Sequence, residues 1–167
     1  MIEDVIAQAH MVVDSLTFQE GTIALSALRT IGDSASHPGP FSQLLGIKFH
    51  NLTDGQCTAS LEVKEHLLNP LGIAHGGVTF SLADSACGGA ALSAIGAPRI
   101  VTQDLQIRYH GPVRPGEIIA QAEVVHFGTR TITTQCRVTQ MELLVATISA
   151  TFAILDEDEM KLVKRGE

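Results

Sequence analysis

A run of apolar and small residues in the middle of the chain constrains the fold more than any other feature. The segment NPLGIAHGGVTFSLADSACGGAALSAIGA spans residues 69–97, and Asp84 is its only acidic or basic residue apart from one histidine. A glycine pair at 76–77 opens the run, and Gly96 and Pro98 are residues that typically end a helix. A helix that is apolar or small on every side is a buried one. From the glycine pair onward, the segment therefore predicts a buried central helix of about twenty residues, about 30 Å long.

The sequence on both sides of this helix alternates between apolar and polar residues, which is typical of strands with one wet face. Two such segments precede the helix and four follow it. The short turns that join them favour antiparallel pairing. In the first strand after the helix, alternation predicts one face with Val101, Gln103, Leu105, Ile107 and Tyr109 and an opposite face with Thr102, Asp104, Gln106 and Arg108.

These elements predict an α+β fold. The central helix is the only element able to cover the apolar face of the sheet, so the economical arrangement is a curved antiparallel sheet wrapped around that helix. Such a sheet leaves edges and apolar surface exposed. We therefore expect the protein to self-associate.

The chain of 167 residues is long enough for one domain with extensions at both ends. Residues 1–40 are predicted to form an N-terminal helical extension, with apolar residues at three-and-four spacing, followed by a linker rich in Gly, Pro and Ser. Residues 41–156 form the predicted domain. The charged tail at 157–167 is predicted to be frayed.

Composition excludes several classes of function. The net charge is -7 with no basic run, so we expect no nucleic-acid partner. No stretch of eighteen apolar residues lacks a charge, and the N-terminus is acidic, so we expect neither a membrane span nor a signal peptide. Three well-separated cysteines suit reduced thiols in a cytoplasmic protein. No metal-ligand spacing or phosphate loop occurs, so we expect neither a metal nor a cofactor.

Asp84 is the first candidate for chemistry. Aspartate is a poor residue inside a helix, and no Lys or Arg lies within four positions of this one. Burial among apolar neighbours should raise its pKa, which makes a carboxylate a better base near neutral pH. The alternative is a structural aspartate that is bonded to a hydroxyl or an N–H of a neighbouring strand.

Gly76 and Gly77 form the second candidate, because backbone N–H groups at a helix start can bind an anion or a polarised carbonyl. A plain tight turn is the alternative, and His75 taken alone is more often a packing residue than a catalyst. Eight residues, about 12 Å of helix, separate Gly76 from Asp84, too far for both to reach one small group. In a symmetric dimer, Gly76 of one chain could face Asp84 of the other. Ser81 lacks a GxSxG motif and Cys87 has no histidine nearby, so both are weaker candidates.

Four segments, LLGIKF, DGQCTASLEV, NPLGIAHGGVTFSLADSA and VTQDLQIRYHGPVRPGE, resemble the hotdog-fold acyl-CoA thioesterases, in the PaaI-like branch related to phenylacetate degradation. The resemblance covers about residues 41–155. It implies a hotdog fold and a homodimer that assembles into a homotetramer, with active sites across the dimer interface. The implied reaction is hydrolysis of an acyl-CoA or aryl-CoA thioester, with CoA as part of the substrate.

The resemblance also implies roles for individual residues. Asp84 matches the catalytic acid, which acts as a base or a nucleophile, and the Gly76 N–H matches the donor that polarises the thioester carbonyl. Asn69 matches a loop residue that holds the carbonyl or the water, and His75 one that shapes this loop. Thr102 matches a serine that positions the attacking water in a relative, and keeps its hydroxyl.

Three functions remain in view. Thioester hydrolysis is the leading hypothesis. A non-catalytic acyl-CoA-binding or sensing module on the same fold is the alternative, and a 3-hydroxyacyl-thioester dehydratase is less favoured because no histidine-rich loop accompanies the carboxylate. The small residues at 88–91 suggest room beside the helix for an aromatic or medium-chain acyl group.

Overall fold

The computed structural model describes residues 39–95 and 99–165, and the predicted N-terminal helical extension lies outside these ranges. The elements are α1 (Pro40–Leu45), β1 (Lys48–Thr53), β2 (Gln56–Val63), a 3₁₀ turn (Glu65–Leu67), α2 (Gly76–Ile95), β3 (Ile100–Tyr109), β4 (Gly116–Phe127), β5 (Thr131–Gln140), β6 (Leu143–Ile154) and α3 (Glu157–Arg165). The predicted order of two strands, one long helix and four strands is confirmed.

The six strands form one antiparallel sheet in the order β1-β2-β4-β5-β6-β3. The chain leaves β2, passes through α2 and returns as β3 at the far edge of the sheet, where β3 pairs with β6. The predicted α+β arrangement, a sheet wrapped around one helix, is therefore confirmed. As an edge strand, β3 exposes Val101 by 39% and Tyr109 by 51%, a surface suited to the expected self-association.

Helix α2 fills the centre of the domain. Its buried residues are small or apolar and pack mainly against β2, β4 and β5. The same hydrophobic core contains Leu61, Ile118, Ile132 and Val138, which are fully buried. Burying each such side chain stabilises the fold by about 1.5–3 kcal/mol. By length and composition alone α2 could cross a membrane, but within the described chain it is the core helix that the sheet covers.

The prediction of a frayed tail was wrong, because residues Glu157–Arg165 form helix α3. Asp156 caps this helix: its Oδ1 accepts hydrogen bonds from the N–H groups of Asp158 (3.0 Å) and Glu159 (2.9 Å). Glu159 in turn accepts from the Asp156 N–H at 2.8 Å, which completes a capping box. Arg130 donates to Glu159 at 2.8 Å and ties the helix to the turn before β5.

Candidate active site

Asp84 lies midway along α2 and faces a hollow of about 400 Å³ between the helix and strand β3. The Thr102 hydroxyl donates a hydrogen bond to Asp84 Oδ1 at 3.0 Å. The remaining lining is mostly apolar or small and comprises Gly39, Ser42, Phe49, Leu52, Ser85, Gly88, Gly89, Leu92, Ile100, Val101 and Phe152. The carboxylate thus stands at the edge of an apolar hollow, with a hydroxyl beside it.

A β-bulge brings Thr102 to Asp84. The pairing of β3 with β6 shifts register between Thr102 and Asp104, so one extra residue interrupts the alternation. Thr102 therefore faces the helix together with Leu105, which packs against the core. Strict alternation had predicted these two residues on opposite faces, and that prediction was wrong. The resemblance assigned Thr102 to the site, and the structure places its hydroxyl beside Asp84.

The electrostatic environment makes the Asp84 carboxylate a stronger base than an exposed aspartate. Burial raises the pKa of Asp84, and the hydrogen bond from Thr102 partly opposes that rise. Among the residues that the structure describes, no Lys or Arg forms an ion pair with it, and Oδ2 has no protein donor. One carboxylate oxygen is therefore free to accept a hydrogen bond from water.

The start of α2 lies in a separate hollow of about 410 Å³, whose lining includes Asn69, Gly76 and Tyr109. His75 is the N-cap of the helix, because its Nδ1 accepts the Gly77 N–H at 3.0 Å. For Nδ1 to accept this bond, the proton of the imidazole must be on Nε2. Within the described ranges no acceptor is found for the Gly76 N–H. That N–H is the donor left open to a ligand.

Asn69 belongs to the loop that leads into the helix. Its Oδ1 accepts the Leu71 N–H at 2.9 Å, and its own N–H donates to the Ile73 carbonyl at 2.7 Å. Because the side-chain oxygen is already bonded, the amide NH₂ is the part of Asn69 that remains available. This arrangement suits a donor to a carbonyl oxygen better than an acceptor for water.

The two hollows share no lining residue. The structure brings Asp84 and Thr102 together in one, and Asn69 and Gly76 together in the other, but it does not unite the two pairs. About 12 Å of helix separates Asp84 from Gly76. A reaction that needs both groups at one carbonyl therefore requires a second copy of the chain.

Tyr109 is a residue of this second hollow that the sequence did not reveal. Its hydroxyl donates to the Gly76 carbonyl at 2.9 Å, across 33 positions of sequence. The sequence pattern shows only that Tyr109 ends an alternating strand. Its contact with the helix start depends on where β3 lies relative to α2, and no local signal carries that information.

The three cysteines offer no accessible nucleophile. Cys57, Cys87 and Cys136 are all buried and unpaired. Burial raises the pKa of Cys57 to about 12, while a hydrogen bond with Cys136 lowers the pKa of Cys87. With no accessible surface, Cys87 cannot reach a substrate. In residues 39–95 and 99–165, no group of three His, Cys, Asp or Glu side chains is placed to hold a metal ion.

Comparison with known proteins agrees with this geometry. The thioesterase superfamily profile matches residues 71–146, which include α2 and β3 to β5. A solved PaaI protein of phenylacetic acid degradation from Thermus thermophilus, in a mutant form, is 32% identical, with a TM-score of 0.65 over 70% of this chain and all of its own. The chain belongs to the thioesterase superfamily. Within it, the chain is PaaI-like, and its wrapped sheet is the hotdog fold.

Two further relatives of this thioesterase-superfamily chain extend the comparison. A conserved protein from Pseudomonas aeruginosa, PA5202, is 37% identical with a TM-score of 0.68, over 70% of this chain and 94% of its own. A 1,4-dihydroxy-2-naphthoyl-CoA hydrolase from Listeria monocytogenes is 28% identical over 67% of this chain and 93% of its own. The chain spans only 64% of the length of a relative from Saccharolobus solfataricus. It spans 60% of the length of a relative from Halobacterium salinarum.

Proposed function

We propose that this protein hydrolyses acyl-CoA or aryl-CoA thioesters to a free acid and CoA, at sites shared between the two chains of a homodimer. The dimer is proposed to assemble further into a homotetramer. The observation that carries the proposal is the half-buried Asp84, with a raised pKa and one free oxygen beside an apolar hollow. A purely structural aspartate would gain little from this position, because the described residues supply a hydrogen bond to just one of its oxygens.

In the proposed reaction, Asp84 takes a proton from a water molecule as that water attacks the thioester carbonyl carbon. The negative charge that develops on the carbonyl oxygen is stabilised by the Gly76 N–H and the Asn69 amide of the other chain. The carbon–sulfur bond then breaks, and protonated Asp84 returns its proton to the CoA thiolate. Thr102 holds the carboxylate, and its hydroxyl oxygen can still accept a hydrogen bond from the water.

The hollow beside Asp84 is suited to the acyl group. Phe49, Leu52, Leu92 and Phe152 supply apolar walls. An apolar cavity of about 150 Å³ is enough to hold benzene, so a hollow of about 400 Å³ has room for an aromatic ring and its linker. The printed names of two relatives, a naphthoyl-CoA hydrolase and a phenylacetic acid degradation protein, support an aromatic acyl group.

The first test compares wild type with Asp84→Asn and Asp84→Ala on a panel of short, medium, long and aryl CoA substrates, measured by thiol release. Both variants should lose about 10²–10⁴-fold in turnover if the general base is lost. Their melting temperatures should hold or rise, because a partly buried charge has been removed. A variant that melts early yet keeps its rate per folded molecule would contradict the proposal. Saturable acyl-CoA binding by wild type without thiol release would support the binding-module alternative instead.

The second test asks whether each site is shared. Gly76→Pro removes the N–H donor at a helix position where proline is favoured, although the Tyr109 hydroxyl, 3.1 Å from the new Cβ, must give way slightly. Gly76→Pro and Asp84→Ala chains should each be inactive alone. Co-refolded at random, they should recover about a quarter of wild-type activity, because each hybrid dimer holds one intact site. No recovery, with hybrid dimers present, would place the site within one chain.

A further inference from the structure

The peptide unit between Gly76 and Gly77 is held at both of its polar ends by side chains. At one end, the Tyr109 hydroxyl donates to the Gly76 carbonyl at 2.9 Å. At the other end, His75 Nδ1 accepts the Gly77 N–H at 3.0 Å. The two bonds reach this peptide plane from strand β3 and from the loop before α2, and so fix it against two separate parts of the fold.

Two hydrogen bonds that fix a peptide plane matter most at a flexible point of the chain. A Gly-Gly pair has more backbone freedom than any other dipeptide. The Gly76 N–H belongs to the preceding peptide unit, but it is attached to the same Cα as the clamped carbonyl. Holding the Gly76–Gly77 peptide plane restrains the position of this Cα, and so restrains the point from which the N–H, the donor left open in the hollow, is directed.

The Tyr109 ring also accounts for the glycine at position 76. A Cβ on residue 76 would lie 3.1 Å from the Tyr109 hydroxyl oxygen and 3.3 Å from its Cζ. The phenol lies this close to the helix start because no side chain is there, and a Cβ would push it back by a few tenths of an ångström. Burial raises the pKa of Tyr109, so its hydroxyl remains a donor throughout the neutral range.

We propose that Tyr109 is a positioning residue for the reaction: its hydroxyl, together with His75, aims the Gly76 N–H at the thioester carbonyl. The inference rests on the proposed function, and it adds a residue that acts on the donor rather than on the substrate. Loss of the Tyr109 hydroxyl should lower kcat, because the orientation of the N–H donor matters most when negative charge develops on the carbonyl oxygen.

The test is Tyr109→Phe, which keeps the ring and removes the hydroxyl. We expect kcat to fall about ten-fold with KM within two-fold, a smaller loss than the ~10²–10³ for removing an oxyanion donor altogether. The acidic limb of the pH–rate profile should not move, because it belongs to Asp84. The matched control is Ser93→Ala, which removes a hydroxyl that bonds Gly55 N–H at 3.0 Å near the other end of α2 and should leave the rate unchanged.

A double-mutant cycle adds a measurement that a merely structural role would not move. Tyr109→Phe and His75→Ala release opposite ends of one peptide plane, so the double variant should lose less in kcat than the product of the single losses. His75→Asn, which restores an N-cap acceptor, should recover most of the His75→Ala loss.

Three results would overturn the role of Tyr109: wild-type kcat in Tyr109→Phe, a loss confined to KM, or fully multiplicative effects in the cycle. These results differ from a failure of the proposed function itself. That failure would be a wild-type protein that does not turn over any thioester, or one whose turnover survives Asp84→Asn.

Discussion

Two adjacent glycines in α2, Gly88 and Gly89, should respond in opposite ways to the same substitution. Replacing a helical glycine by alanine gains about 1 kcal/mol of stability where the new methyl group fits. At Gly88 the added Cβ would lie 3.7 and 3.9 Å from two ring carbons of Phe152, which is ordinary contact, and no other described residue, apart from its neighbours along the helix, comes within 4 Å. Gly88→Ala should therefore stabilise the protein by up to about 1 kcal/mol.

The same methyl group does not fit at Gly89. Its Cβ would lie 2.7 Å from Cys57 Sγ and 3.3 Å from Cys57 Cβ, with a Phe49 ring carbon at 3.5 Å. Cys57 is only 1% exposed, so its sulfur has no free space to enter. Overpacking of this kind costs about 1–3 kcal/mol. Because the helix-propensity gain is common to both variants, the difference between them should equal this overpacking cost.

The assay is urea unfolding of both variants and wild type at one protein concentration, since association changes apparent stability. For a chain of this size, each kcal/mol corresponds to about 2–4 °C in melting temperature, which a thermal scan can resolve. Gly88→Ala should melt at or above wild type, and Gly89→Ala below Gly88→Ala. Equal shifts, or a more stable Gly89→Ala, would refute the packing described for α2 against β2.

Other perturbations have equally direct outcomes. Burial raises the folded-state pKa of Asp84 above its ordinary 3.8. The free energy of unfolding should therefore fall as pH rises through that raised pKa, because the buried carboxyl group then ionises. Asp84→Asn should consequently melt above wild type at pH 7–8, and melting curves should show this gain vanishing below the ordinary pKa. The hydrogen bond from Thr102 lowers the Asp84 pKa, so Thr102→Val should move the acidic limb of the pH–rate profile upward, whereas Thr102→Ser should leave it in place. Gly88→Ala should reduce kcat/KM for aryl substrates more than for acetyl-CoA, because its methyl group takes space from the hollow. Asp156→Ala should destabilise α3 by removing its N-cap, seen as faster amide exchange in residues 157–165.

Much of the architecture could be predicted because it is encoded in local patterns. The scarcity of charge, with Asp84 as the exception, and the flanking glycines defined α2, and the structure places that helix at Gly76–Ile95. Alternation identified the strands, and their short connections implied antiparallel pairing. The eight-residue spacing between Gly76 and Asp84 was enough to argue against a site within one chain, because the rise of a helix is fixed.

One local signal was present and was misread. The sequence from Asp156 to Glu159 has the pattern of a capping box, yet the charged tail was predicted to fray. Several charges of this segment also form ion pairs: Asp158 pairs with Lys161, and Arg130 pairs with both Asp156 and Glu159. Composition alone gave the wrong answer because it ignores the order in which the charges occur.

The remaining details of the site depend on tertiary structure. Sequence alone suggested Asp84 as a base. It left open whether a hydroxyl group from a strand would form a hydrogen bond with the carboxylate. The strand order and a β-bulge determine that this hydroxyl belongs to Thr102. The same strand carries Tyr109 to the start of α2, 33 residues away. Periodicity specifies which residues share a face, but a bulge shifts that assignment by one residue and reverses it. Only the pairing of β3 with β6 determines where the shift occurs, and thereby which side chains meet the helix.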